Sequence, residues 1–303
     1  MKNFNNNEYI CLANDLIGDI FYTQSSYRGK ISTIRQYAEV IIRKVLDLEP
    51  DKMVTLGQKD IRDKVRALTN YEFIQNAMEV IRGKGNLSTH TQYLESLTPE
   101  DFNNIVDALF DMLSFLLIDY FEKYEFGSRN DVISSFSLLP PIIRFKVLNF
   151  LHLKYSRNIA IIDKLVLAIM KSFNVEEALK WVEKEKDVLM QMDTMSVKAF
   201  NETVERVGVE FANIIKSSGP PNMYQLCTEK ISTVGATINN NGLLYSSFES
   251  ALPYYKEKGI LIGGDSETDV FNDIMGFLYL GRKEDLDKMS SDNNPYLVLE
   301  AIN

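Results

Sequence analysis

Histidine and cysteine, two residue types on which much protein chemistry depends, are almost missing: the 303-residue chain has two of each. Cys11 and Cys227 stand far apart and no CxxC spacing occurs, so neither a disulfide framework nor a cysteine-based metal site is expected. Long apolar runs are missing too. The most apolar stretch, Leu109 to Phe121, is interrupted by Asp111 and Asp119 and is too short to cross a bilayer. The opening Met1-Lys2-Asn3-Phe4-Asn5 lacks the apolar core of a signal peptide, so a cytoplasmic protein without membrane contact is expected. Phosphate-cradling loops are also wanting: Ile260 to Asp265 contains Gly263-Gly264 but neither GxGxxG nor GxxxxGK[ST]. No cofactor or metal is expected, and no Ser-His-Asp arrangement can be specified.

What is present is an ordinary globular mixture, 45% hydrophobic and 25% charged, with a net charge of −9. That balance favours solubility and argues against a chain-wide nucleic-acid surface. The charge is uneven, however. From Arg28 to Lys84 there are twelve Lys and Arg against eight Asp and Glu, a local balance of +4 that leaves −13 elsewhere. Solvated helix faces account for such a pattern; a mildly basic surface able to meet a phosphate backbone is the functional alternative.

The apolar spacing is helical. Ile31, Ile34, Ala38, Ile41, Ile42 and Val45 recur every three or four residues, as do Tyr71, Ile74, Ala77, Met78 and Ile81 before Gly83 and Gly85 interrupt the pattern. Thr98, Pro99 and Asp101 form a capped start for a very apolar helix, Phe102 to Tyr120, expected at the centre of a bundle. Further helices are expected after Pro140-Pro141, after Asn158, from Val175 to Met192, from Val197 to Ile215 and from about Ser266. Asn239 to Gly242 reads as a turn, and Ile260-Leu261-Ile262 as a short strand. The fold class is all-α, with a bundle over residues 1–127, a second helical region over 128–303 and a linker at 217–221.

Of the two histidines, His152 lies among apolar neighbours and reads as a partly buried structural residue. His90 follows the polar, glycine-rich stretch Arg82-Gly83-Lys84-Gly85-Asn86-Leu87-Ser88-Thr89. That run, from Ile81 through His90, resembles the I-R-x-x-G-N-x-x-x-H signature of a bacterial helical domain of unknown function found in type I restriction endonuclease R subunits, itself similar to the HEPN superfamily. Ile34 to Ile41 resembles its first helix, and the likeness covers roughly residues 25–125.

The resemblance implies a four- or five-helix bundle, often dimeric, encoded among antiviral or toxin–antitoxin systems. Active HEPN proteins are metal-independent ribonucleases, in which histidine takes a proton from a ribose 2′-hydroxyl and arginine stabilises the phosphorane. Here the matching residues are Arg82, Asn86 and His90, with Gly85 where those enzymes carry arginine. On an unbroken helix Arg82, Asn86 and His90 would share a face. Two functions follow as expectations. The first is a helical interaction module, a homodimer or a subunit of a bacterial defence or mobile-element assembly such as phage defence. The second is a HEPN-like ribonuclease using His90 with Arg82 and Asn86, with RNA meeting the Arg28–Lys84 region.

Overall fold

The computed structural model describes residues 3–89, 94 and 96–284. In chain order the helices are α1 (Ile10–Ile17), a π-helical turn (Gly18–Tyr22), α2 (Tyr27–Val45), α3 (Lys59–Arg66), α4 (Tyr71–Thr89), α5 (Pro99–Lys123), α6 (Asn130–Phe136) and α7 (Pro141–Lys154). Then come α8 (Ile159–Ser172), α9 (Val175–Lys184), α10 (Lys186–Leu189), α11 (Val197–Val207), α12 (Val209–Ser218), α13 (Met223–Asn241), α14 (Phe248–Lys258) and α15 (Ser266–Tyr279). The protein is all-α, and no strand occurs among the described residues. No described helix is long and apolar enough to cross a membrane.

Short polar side chains set most helix starts. Ser26, Thr98, Asn158, Asn174, Ser196, Asn222, Ser247 and Asp265 each accept a backbone N–H three residues on. At α5 the cap is reciprocal, because Asp101 also accepts the Thr98 N–H. The final helix is capped by Asp265, one residue before the expected Ser266.

Five expectations need correcting. Gly83 and Gly85 do not end α4, which runs on to Thr89. The expected helix from Val175 to Met192 breaks at Glu185, and that from Val197 to Ile215 breaks at Gly208, whose φ of +84° few side-chain-bearing residues adopt. The Asn239–Asn241 stretch stays helical, and Gly242, at φ +73°, ends it. Ile260 to Ile262 is not a strand: the Asn272 side chain accepts the Leu261 N–H and donates to its carbonyl, both at 2.9 Å, doing the work of a pairing neighbour.

The described chain divides into two compact units, one running to Ile143 and resuming at Ser247, the other from Arg144 to Ser246. The first unit therefore takes in residues on both sides of position 127, and the second encloses the 217–221 segment.

In the first unit α5 is the central helix, with fifteen of its residues buried, from Phe102 to Phe121, and it packs on α2, α4 and α15. Burying so wide an apolar surface supplies the main drive for this unit to fold. Lys44 and Arg282 are two of the buried cations in this unit. Lys44 meets Asp273 at 2.7 Å and Asn6 at 3.1 Å and lies over the rings of Phe4 and Phe277. Arg282 meets Glu249 at 3.3 Å with both side chains inaccessible, while the Tyr22 hydroxyl donates to the same carboxylate oxygen at 2.6 Å.

The second unit is assembled mainly from α8, α9 and α13. Val175 lies against α13 at Gly235, where a methyl group would stand 2.9 Å from its side chain. His152 is buried here as expected, its ring edge-on to Trp181 at 5.3 Å and its Nε2 3.7 Å from the Glu185 carboxylate. Burial holds the imidazole below its ordinary value of 6.5, with Glu185 opposing the shift. Because the folded ring gives up its proton more readily than the unfolded one, stability is whole above that ordinary value and declines as pH falls through it. In chemical denaturation at a series of pH values, His152→Phe is expected to flatten this acid-side decline; an unchanged slope would place the titration elsewhere.

Candidate functional site

The polar stretch singled out by sequence lies along the seam between α2 and α4. Arg28, Arg35 and Glu39 fall seven and four residues apart on α2, and so share the face turned to α4. Opposite them, Glu79, Arg82 and Asn86 share a face of α4.

Gly85 makes the close approach possible. A β-carbon there would stand 2.8 Å from Cδ of Arg35, so the absence of a side chain lets the arginine stem lie flat across α4. The guanidinium then donates from Nη1 to the Asn86 Oδ1 at 2.7 Å, and its Nε is 3.8 Å from Glu39. A glycine inside a helix costs about 1 kcal/mol relative to alanine. Its use here marks the position of Arg35 as specified rather than incidental.

The other cations have partners as well. Arg28 donates to the carbonyls of Leu87 and Ser88, at 2.8 and 3.2 Å, near the C-terminal end of α4 where positive charge is favoured. Arg82 is about one-third exposed and directs Nε and Nη2 at the Glu79 carboxylate, at 2.9 and 2.5 Å. Lys84 reaches Asp101 at 2.5 Å, and that hydrogen bond, with those from Thr98, holds the Asp101 carboxyl down to about 2. Burial raises the Glu39 carboxyl above its usual range, against the backbone N–H of Leu56 and the charges of Arg35 and Arg43.

Of the three residues expected to carry chemistry, Arg82 and Asn86 thus lie one turn apart on an unbroken helix, and His90 lies outside the described residues. Arg35 and Glu39 are seam residues that the sequence did not mark for chemistry. Their only signal was the spacing on α2, because the partner of Arg35 is 51 positions away. Chemically, the seam offers guanidinium and amide donors for an oxyanion, and Glu39 is its one described carboxyl with a raised affinity for protons. Among the described residues no group of three or more His, Cys, Asp or Glu could hold a metal ion.

A second feature lies in the Arg144–Ser246 unit. The helix α12 folds back along α11: Lys216 near its end meets Asp193 at 2.8 Å and lies 5.8 Å from the Phe200 ring, and Thr194 donates to the Pro220 carbonyl. The hairpin buries little. α11 has no buried residue and α12 only Ala212, whereas Val197, Val207, Val209, Phe211, Ile214 and Ile215 are exposed, Phe211 by 64%. Large apolar side chains gathered on one element at this exposure mark surfaces that meet another protein. Comparison with protein-family models, curated proteins and solved structures returns no match for the chain.

Proposed function

We propose that the protein is a helical interaction module, which presents the α11–α12 hairpin to a protein partner and acts as a homodimer or as a subunit of a bacterial defence or mobile-element assembly. The observation that carries this reading is the hairpin itself, with six large apolar side chains in water and a single buried alanine. The likeness of residues 25–125 to the restriction-subunit domain supplies the setting. The engagement of Arg28, Arg35, Arg82 and Lys84 with groups of the protein supports a structural role for the seam. A photo-crosslinking side chain at position 211, in cells that make the protein, is expected to give a discrete protein adduct. A clean lane with crosslinker incorporated would defeat the proposal.

A ribonuclease is the second reading, favoured by one observation: the helix runs unbroken from Arg82 through Asn86, so both face one way, beside Arg35. In that reading His90 removes the ribose proton, Arg82 and Asn86 stabilise and orient the phosphate, and the Arg28–Lys84 region receives the RNA. Incubation with total RNA in EDTA separates the two. The module leaves RNA intact; cleavage abolished by His90→Ala would establish the nuclease.

A further inference from the structure

The residues of the hairpin carry a pattern that the hairpin does not use. Val197, Phe200, Val204, Val207, Phe211 and Ile214 are spaced three, four, three, four and three, an unbroken heptad stripe that passes straight through Gly208. In one continuous helix all six would line a single face. Folding back at Gly208 divides the stripe between two helices and leaves Val197, Val207, Phe211 and Ile214 exposed.

The bend depends on one residue. Gly208 closes α11, donating to Val204 at 2.8 Å, and opens α12, accepting from Ala212 at 3.0 Å, so the two helices share a one-residue connection. Its φ of +84° with ψ of 159° lies in a region that is essentially glycine-only. A β-carbon there would meet nothing within 4 Å, so backbone conformation, not space, demands the glycine. Short, strained hinges between packed elements favour exchange of the element between copies of a chain.

We infer that the partner of the hairpin is a second copy of this chain, joined by opening at Gly208 and reciprocal exchange of α12 and the helices after it. This rests on the interaction-module reading and names its occupant. Residues 197–218 then form one helix about 33 Å long. Two such helices cross antiparallel about a two-fold axis near Gly208, and the α12 of one copy lies on the α11 of the other with the contacts it makes in the hairpin. The hairpin itself buries only Ala212, and the packing of α13 on α8 and α9 and of α15 on α5 is re-formed between copies, while Val204, Val207 and Phe211 gain burial at the crossing. The four residues 219–222 span at most about 14 Å, so α13 travels with α12.

The ion pair between Asp193 and Lys216 reports the exchange directly. A carbodiimide couples the two into an amide, within one chain in the hairpin and between chains after exchange. Equal amounts of ¹⁴N- and ¹⁵N-labelled protein are mixed, partly unfolded, refolded at high concentration and separated by size. The dimer fraction is expected to hold the mixed-isotope Asp193–Lys216 peptide. Gly208→Ala, which strains the bend and favours the continuous helix, is expected to tighten dimerisation at least about tenfold. Three glycines inserted after Gly208 relax the hinge and are expected to leave only monomer at the same concentration. A helical, monomeric Gly208→Ala protein, or dimers in all proteins without the mixed-isotope link, overturns the exchange. A crosslink from position 211 to some other protein would, in that case, leave the module reading standing.

Discussion

Replacing Arg282 with alanine is expected to destabilise its unit by about 3–5 kcal/mol, read as a lower urea midpoint with an unchanged slope. The guanidinium and the Glu249 carboxylate are both fully inaccessible, 3.3 Å apart, and the rings of Phe21 and Phe248 lie against the cation at 4.6 and 4.4 Å. Among the described residues Oε2 of Glu249 already has no hydrogen-bond partner, so removing the arginine leaves a carboxylate in hydrocarbon with the Tyr22 hydroxyl as its donor. The penalty belongs to the orphaned charge rather than to the lost attraction. Arg282→Met combined with Glu249→Leu should therefore recover most of the loss. A single substitution costing under about 1 kcal/mol would show that the pair is not sealed from water.

Gly281→Ala is expected to cost about 2–5 kcal/mol by the same measurement, from strain and overpacking together. Gly281 sits at φ +79°, and its added methyl would stand 2.6 Å from the carbonyl oxygen and 2.9 Å from the carbonyl carbon of Ala13. Those atoms belong to the backbone of α1, which cannot rotate aside as a side chain would. Gly83→Ala makes the comparison sharp. Nothing lies within 4 Å of a methyl there, and the position is helical, so the substitution should stabilise by about 1 kcal/mol. Similar effects at the two positions would contradict the close approach at Gly281.

These glycines also show how far sequence could be read. Helix starts at Thr98 and Asn158 were legible because a cap is satisfied within three residues. Gly85 stands where the apolar spacing reads as interrupted and Gly208 inside an apolar spacing that continues past it, yet the helix runs on through the first and breaks at the second. What decides the first is Arg35, fifty positions away, lying where a side chain would have been. Local sequence holds no trace of that contact. The apolar triplet Ile260-Leu261-Ile262 has strand character, and only the Asn272 amide on another helix explains why no strand is needed.

At the seam the i, i+4 relation of Arg82 and Asn86 was readable once the helix was known to be unbroken. The involvement of Arg35 and Glu39 was not, because their roles come from α2 and α4 packing together. The burial of His152 was legible from its apolar sequence neighbours, but the groups that meet its ring, Trp181 and Glu185, come from α9 and its C-terminal end and were not.

The interruption of the first unit by the second constrains the order of events on the ribosome. Helices α1 to α6 emerge early, but α14, α15 and Arg282 follow only after about a hundred further residues. At ~5–20 residues per second that interval is about 5–20 s. Throughout it, Phe110 lacks its neighbour Phe248, and Lys44 lacks its counter-ion Asp273. The nascent chain thus carries a greasy, unfinished surface for seconds before the helices that cover it are made.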